Sequence, residues 1–244
     1  MIEVEQLHKQ FGEVVAVRGL SFKAFNGAIT GLLGLNGAGK TTTLRIISGV
    51  LKPQRGSIRI DGVSAVESPS DAQEKTGALL DHTGLYSRLT ARENLAYFGR
   101  LRRIPPPKLK VRIEELLSIL GLESVADRPT AGFSQGERMK TALARAIIHS
   151  PGNLLLDEPT SGLDVITVRA LRNFLKQGRD SGQCIVFSSH ILEEVRALSD
   201  NIVIVAKGAV IADGTPEAVC RKAGTASLEE AFVRLTATQE AAAC

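Results

Sequence analysis

Along the 244-residue chain, short apolar runs alternate with longer mixed ones, and the spacing of the apolar positions changes between them. "EVVAVRGLSFKAF", Glu13 to Phe25, alternates as a half-exposed strand does, whereas "AITGLLGL", Ala28 to Leu35, is a buried strand running straight into glycines. "TTTLRIISGVL" then has the helical period, and "GSIRIDG" and "TGALL", Thr76 to Leu80, read as short strands. From about Thr90 to Ser150 the pattern is helical, broken by "IPPP", whose prolines lack an N–H and force a bend. Strands return at "NLLLD", "CIVFSS" and "NIVIVAKGAVIADG", with the helix "VITVRALRNFLKQGR" between the first two. Strands alternating with helices predict an α/β fold of parallel strands joined by crossover helices, with the stretch from about 90 to 150 inserted as a helical subdomain. There is no internal repeat and no low-complexity tract.

Composition narrows the function classes. With 43% apolar residues the chain can bury a full core. Its net charge of +4 is mild and dispersed, too weak to argue for nucleic acid. The densest basic cluster is "GRLRRIPPPKLK", with Arg100, Arg102, Arg103, Lys108 and Lys110: a solvated face, a phosphate-rich surface or a contact for an acidic partner. Cys184, Cys220 and Cys244 are far apart, odd in number and without metal-ligand spacing, which fits a reducing interior. No apolar run approaches the roughly 20 residues that span a bilayer, so a soluble chain is expected.

The chemistry starts at "GLNGAGKTT", which fits G-x-x-x-x-G-K-[ST] between a strand and a helix. Gly34, Gly37 and Gly39 let backbone N–H groups curl around a phosphate, with Asn36 and Ala38 in the same loop, and the helix N-terminus adds its dipole. Lys40 offers a point charge to the β- and γ-phosphates, Thr41 a hydroxyl to Mg²⁺, and Thr42 follows in the first turn. "NLLLDEPT" supplies a second metal ligand, Asp157, at the end of an apolar strand; Glu158 beside it is placed to orient or deprotonate the attacking water. "FSSH" ends another strand at His190, on the edge where parallel sheets bind ligands, from which it could reach the γ-phosphate.

Together these motifs resemble the nucleotide-binding subunit of the ATP-binding cassette (ABC) transporters, over residues 1 to about 236, leaving 237–244 as a short tail. "FSQGE", Phe133 to Glu137, resembles the family signature LSGGQ and retains Ser134 and Gly136; "TSGLD" resembles the loop carrying Asp164. Phe11 stands at the place of the aromatic that stacks on adenine, with a plain core role as its alternative. The resemblance implies a P-loop NTPase fold: a mostly parallel core sheet, an N-terminal antiparallel β subdomain and an inserted helical subdomain. It implies an ATPase using ATP and Mg²⁺, and two chains paired head-to-tail so that Ser134 and Gly136 close on the partner's γ-phosphate. It also implies a separate integral-membrane permease and a peripheral location at the cytoplasmic face of the membrane. "GLYSRLTARENL" with "FSQGE" resembles the exporter branch that includes sodium- and drug-efflux ATPases. One departure stands out: after "TGALL" most members carry Gln, and this chain has Asp81 or His82 there. Asp is shorter, donates no hydrogen bond when ionised, and adds negative charge beside a triphosphate.

A soluble cassette ATPase acting on nucleic acid or ribosomes is the alternative, yet the paired cassettes, long coiled coil or Cys-x-x-Cys modules usual there are missing. A small-molecule kinase or GTPase would not need "FSQGE", and the N-K-x-D of a guanine reader is absent.

Overall fold

The computed structural model describes residues 1–80 and 84–241. The chain opens with strands β1 (Ile2–Phe11), β2 (Val14–Ala24) and β3 (Ala28–Leu33), then helix α1 (Lys40–Ile47), strands β4 (Arg55–Ile60) and β5 (Val63–Ser64), helix α2 (Pro69–Glu74) and strand β6 (Thr76–Leu79). Helices α3 (Ala91–Leu101), α4 (Pro106–Ile119) and α5 (Gln135–Ala146) follow. The remainder is β7 (Asn153–Asp157), α6 (Val165–Asp180), β8 (Cys184–Ser189), α7 (Leu192–Leu198), the hairpin β9 (Asn201–Ala206) and β10 (Ala209–Gly214), α8 (Pro216–Ala223) and α9 (Leu228–Ala241). The last helix runs without a break across residue 236.

Among the described residues the strands form two sheets: a 4-stranded one ordered β2-β1-β4-β5, all antiparallel, and a 6-stranded one ordered β10-β9-β3-β8-β7-β6, parallel except for β10. The alternation of side chains sorts the large sheet's residues into two cores. Leu154, Leu156, Ile185 and Phe187 join the helical side, while Leu155, Cys184 and Val186 face α1 and the antiparallel sheet. Because both faces are covered, β3, β7 and β8 are apolar nearly throughout rather than alternating.

The helices begin where local chemistry sets them. Thr90 caps α3 in a box with Glu93, satisfying backbone donors at both positions. The prolines of "IPPP" separate α3 from α4, which starts on Pro106. Met139, Ala142, Leu143 and Ala146 form the buried stripe of α5 at i, i+3, i+4, i+7 spacing. Helices α2 and α7 lie in stretches whose apolar pattern predicts no element, being only 6 and 7 residues long, too short for a full helical period to register.

Candidate functional site

In the large sheet β3, β8 and β7 are neighbours, and their register sets Leu33 opposite Ser189 and Asp157 opposite Ser188. The three strands therefore end abreast, and each carboxyl end leads into a stretch predicted to carry chemistry. The glycine loop follows β3, Glu158 follows β7 and His190 follows β8. Ligands of open α/β sheets bind at this edge.

The glycine loop closes onto α1 through Gly39, whose φ of 102° suits glycine alone. A Cβ there would lie 2.4 Å from the carbonyl oxygen of Ala16 on β2, so a side chain is excluded by space as well as by torsion. Gly37, at φ 81°, has open space around it. Asn36 and Gly37 are exposed, Ala38 and Lys40 are buried, and Thr41 and Thr42 are half-buried on the first turn of α1. No side chain caps α1, so its first N–H groups are left to an external acceptor.

Lys40 donates to the carbonyl oxygens of Gly34 at 2.8 Å and Leu35 at 3.2 Å, bending back over its own loop. Its ammonium lies 3.7 Å from Glu158 Oε1. Burial pushes the Lys40 pKa down, while the carboxylates of Glu158 and Asp157 act against the shift. Glu158 sits in the left-handed region at φ 45°, a conformation that costs a non-glycine residue on the order of 1 kcal/mol or more. Its N–H donates to Ser188 Oγ at 3.0 Å, and its Oε1 accepts from His190 Nδ1 at 2.9 Å. Nδ1 is the protonated nitrogen here, since a carboxylate can only accept. Ser188 Oγ in turn donates to Asp157 Oδ1, and no hydrogen bond to Oδ2 is present among the described residues. Ser188 thus ties Asp157 and Glu158 together. Reading the residues did not single it out; the signal was a hydroxyl ending an otherwise apolar strand, "CIVFSS".

Phe11 lies at the β1–β2 hairpin, 47% exposed and outside the cores, with Lys9 Nζ 5.3 Å from its ring centroid. Further along the same hairpin, Ala16 packs on the glycine loop. Asp81 and His82 lie outside the described residues.

The signature forms the start of α5. Ser134 Oγ accepts from Glu137 N at 3.2 Å, and the Glu137 carboxylate accepts from Ser134 N at 2.7 Å. Gly136 faces α6 of its own chain: a Cβ added to it would meet Thr167 Oγ1 at 3.2 Å and Asp164 Oδ2 at 3.9 Å. Asp164 caps α6, its carboxylate accepting from Thr167 N at 2.9 Å and Thr167 Oγ1 at 2.7 Å, and these bonds hold its pKa below the usual carboxylate value. These contacts join the signature to the 161–167 stretch, as Gln135 Nε2 donating to Ser161 O at 3.0 Å also does, and among the described residues no hydrogen bond joins it to the glycine loop.

A phosphate loop at the carboxyl edge of a parallel sheet, with an acidic pair at the end of the strand two places away, defines a P-loop nucleotide-binding protein. A family model described as "ABC transporter" matches residues 17–161. The chain is 42% identical over 221 residues to the ABC transporter ATP-binding protein NatA of Bacillus subtilis (strain 168), covering 90% of each chain. It is 34% identical over 224 residues to the linearmycin resistance ATP-binding protein LnrL of the same organism, covering 92% of this chain and 72% of that one. A solved structure described as the ATP binding subunit of an ABC transporter matches with a TM-score of 0.89 at 31% identity, over 97% of this chain and 99% of the other. The chain belongs to the ABC transporter family, and it is an ATP-binding cassette ATPase.

Proposed function

We propose that this chain is the motor subunit of a membrane exporter, working as a head-to-tail pair of cassettes at the cytoplasmic face and driving a separate integral-membrane permease. The observation that carries the reading is the chain of contacts at the carboxyl edge of the sheet, Lys40 to Glu158 at 3.7 Å and Glu158 to His190 at 2.9 Å, beside an uncapped helix start. ATP enters with its phosphates on the N–H groups of residues 36–42, and Phe11 stacks on the base. Lys40 exchanges the carbonyls of its own loop for β- and γ-phosphate oxygens. Glu158 takes the proton of the attacking water, and His190 holds the Glu158 carboxylate in place while its other ring nitrogen faces the γ-phosphate.

Thr41 and Asp157 suit Mg²⁺, since both offer hard oxygen and Asp157 Oδ2 accepts no hydrogen bond among the described residues; the ion would offset negative charge on the triphosphate. Asp81 belongs to this proposal as a further ligand near the metal, in the place of the family's usual Gln. Ser134 suits contact with a partner's nucleotide, because its oxygen already accepts from Glu137 N while its hydroxyl proton stays available to donate. Asp164 keeps the adjoining loop in shape by capping α6. Residues 1–236 act as one ATPase domain.

Glu158→Gln tests the catalytic part. The amide still hydrogen-bonds water but cannot take its proton, so turnover should fall by about 10²–10⁴ while ATP binding persists. Size-exclusion chromatography with ATP and Mg²⁺ should then show a stable dimer; near-normal hydrolysis would remove Glu158 from the role. Relatives named for export and for import share the cassette, the latter at 36% identity in a sulfate/thiosulfate import protein. Export is therefore tested on the permease that co-purifies from detergent-solubilised membranes: in inverted vesicles ATP should drive substrate inward, and outward movement would reverse the assignment.

A further inference from the structure

The basic cluster that the ATPase reading leaves unused folds around a groove. Its volume is about 1140 Å³, and it lies between α2, the α3–α4 junction and the end of α5. Arg102, Arg103, Lys108 and Arg112 line it against Glu74 and Glu115, so cations outnumber carboxylates four to two. Glu115 is already paired with Arg112 Nη1 at 2.9 Å. Arg102 gives one N–H to Gln73 O at 3.0 Å, and among the described residues the side chains of Arg103 and Lys108 have neither an ion pair nor a hydrogen bond.

Inside the wall, two buried nitrogens, His149 Nδ1 and Arg112 Nε, have no hydrogen-bond partner among the described residues. His149 Nε2 lies 3.2 Å from Thr76 O, and because a carbonyl only accepts, Nε2 carries the proton and Nδ1 a bare lone pair. Burial, with Arg102 and Arg112 adding to it, pushes the His149 pKa down to about 4. Burial is the larger cause, and the two arginine charges act in the same direction despite Glu74 and Glu115 on the groove wall. Beside the cations, Leu101 and Val111 are 61% and 69% exposed, an apolar flank on the same groove.

We propose that this groove binds a phosphate monoester with an apolar organic part, its oxygens held by Arg103, Lys108, Arg102 and Arg112 and its carbon skeleton lying along Leu101 and Val111. A dianion satisfies several guanidinium and ammonium donors at once, which a single carboxylate does not. The volume exceeds what a bare phosphate needs and suits a ligand of drug-like size. The same chemistry occurs in a free organic phosphate and in the headgroup of phosphatidic acid. The inference stands apart from the nucleotide site, to which none of these residues belongs.

The test uses the whole chain saturated with ADP, so that the phosphate loop is filled. The probe is glycerol 3-phosphate with glycerol as control, and the readout is the His149 ring proton in NMR, identified by its loss in His149→Gln. Binding should move that resonance toward its imidazolium position and raise its midpoint from about 4. The double variant Arg103→Glu, Lys108→Glu should weaken binding by about tenfold or more, because charge-assisted hydrogen bonds are lost, and leave basal ATPase activity unchanged. Lys108→Glu alone, on the exposed first turn of α4, covers the case in which the double variant misfolds. A second arm compares pelleting with phosphatidylcholine vesicles with and without phosphatidic acid: a response there alone assigns the lipid headgroup, and one to glycerol 3-phosphate alone assigns a free ester. No response in either arm, an undiminished response in the folded variants, or binding of an acidic peptide in place of both would overturn the proposal.

Discussion

Helices α1 and α5 each begin at a glycine-containing motif, and they are finished differently. At α1 the cap is Gly39, which has no side chain to offer, so the first N–H groups stay open. At α5 the cap is Ser134 in a closed box with Glu137, so two backbone donors are already satisfied and what remains available is a hydroxyl proton and the N–H groups beside Gly136. An uncapped start is a cradle made of backbone, needing an anion to complete it; a capped start is a stable end that presents one side chain outward. The first is suited to hold a triphosphate within its own chain, the second to touch one that another surface holds.

The sharpest way to break this contrast is to exchange the caps. In Gly39→Ser the new Cβ meets Ala16 O at 2.4 Å and the residue must keep φ 102°, so stability should fall by about 3 kcal/mol or more and ATP binding should vanish. Urea unfolding with and without ATP reads both. A serine tolerated there would mean that the loop is looser than its contacts imply.

Complementation asks which chain each helix start serves. Lys40→Ala keeps its signature, and Ser134→Arg keeps its phosphate loop; each alone should be inactive. With random pairing about half the dimers in an equal mixture hold one of each, and one sound composite site in those should return about one quarter of wild-type ATPase. Ser134→Arg mixed with wild type also contains one sound site and controls for a requirement that both work. Activity in that control above the roughly one quarter that wild-type homodimers contribute, with none in the mutant mixture, would place Ser134 in its own chain's site.

The smallest effect is on α5 itself. Ser134→Ala removes the cap acceptor and should cost about 1 kcal/mol, whereas Ser134→Gly should cost only a few tenths. Thermal melts of the nucleotide-free protein would separate them. Equal melts would show that the Glu137 box contributes nothing, and Ser134 would then be there for contact alone.

The phosphate loop was legible because everything it needs lies in one stretch, 28–47: apolar strand, glycines at positive φ, lysine, helix. The acidic pair was legible for a similar reason, standing at the end of an unbroken apolar run. Ser188 was not, because its value comes from a register that sets it opposite Asp157, 31 residues away in the chain. His190 could be suspected from its strand end, but its hydrogen bond to Glu158 required β7 and β8 to be neighbours.

What the sequence determined by itself is therefore what one segment decides through its own torsions and periodicity: strands by their apolar runs, α5 by its stripe, the glycine loop by conformations that only glycine adopts freely. Tertiary structure alone decided which segments meet. The cluster "GRLRRIPPPKLK" was visible as charge, yet its groove forms only where α2 and the stretch after α5, with His149, meet it in space. A side chain's electrostatic environment is made by neighbours in space, and in this fold those neighbours come from distant turns of the chain.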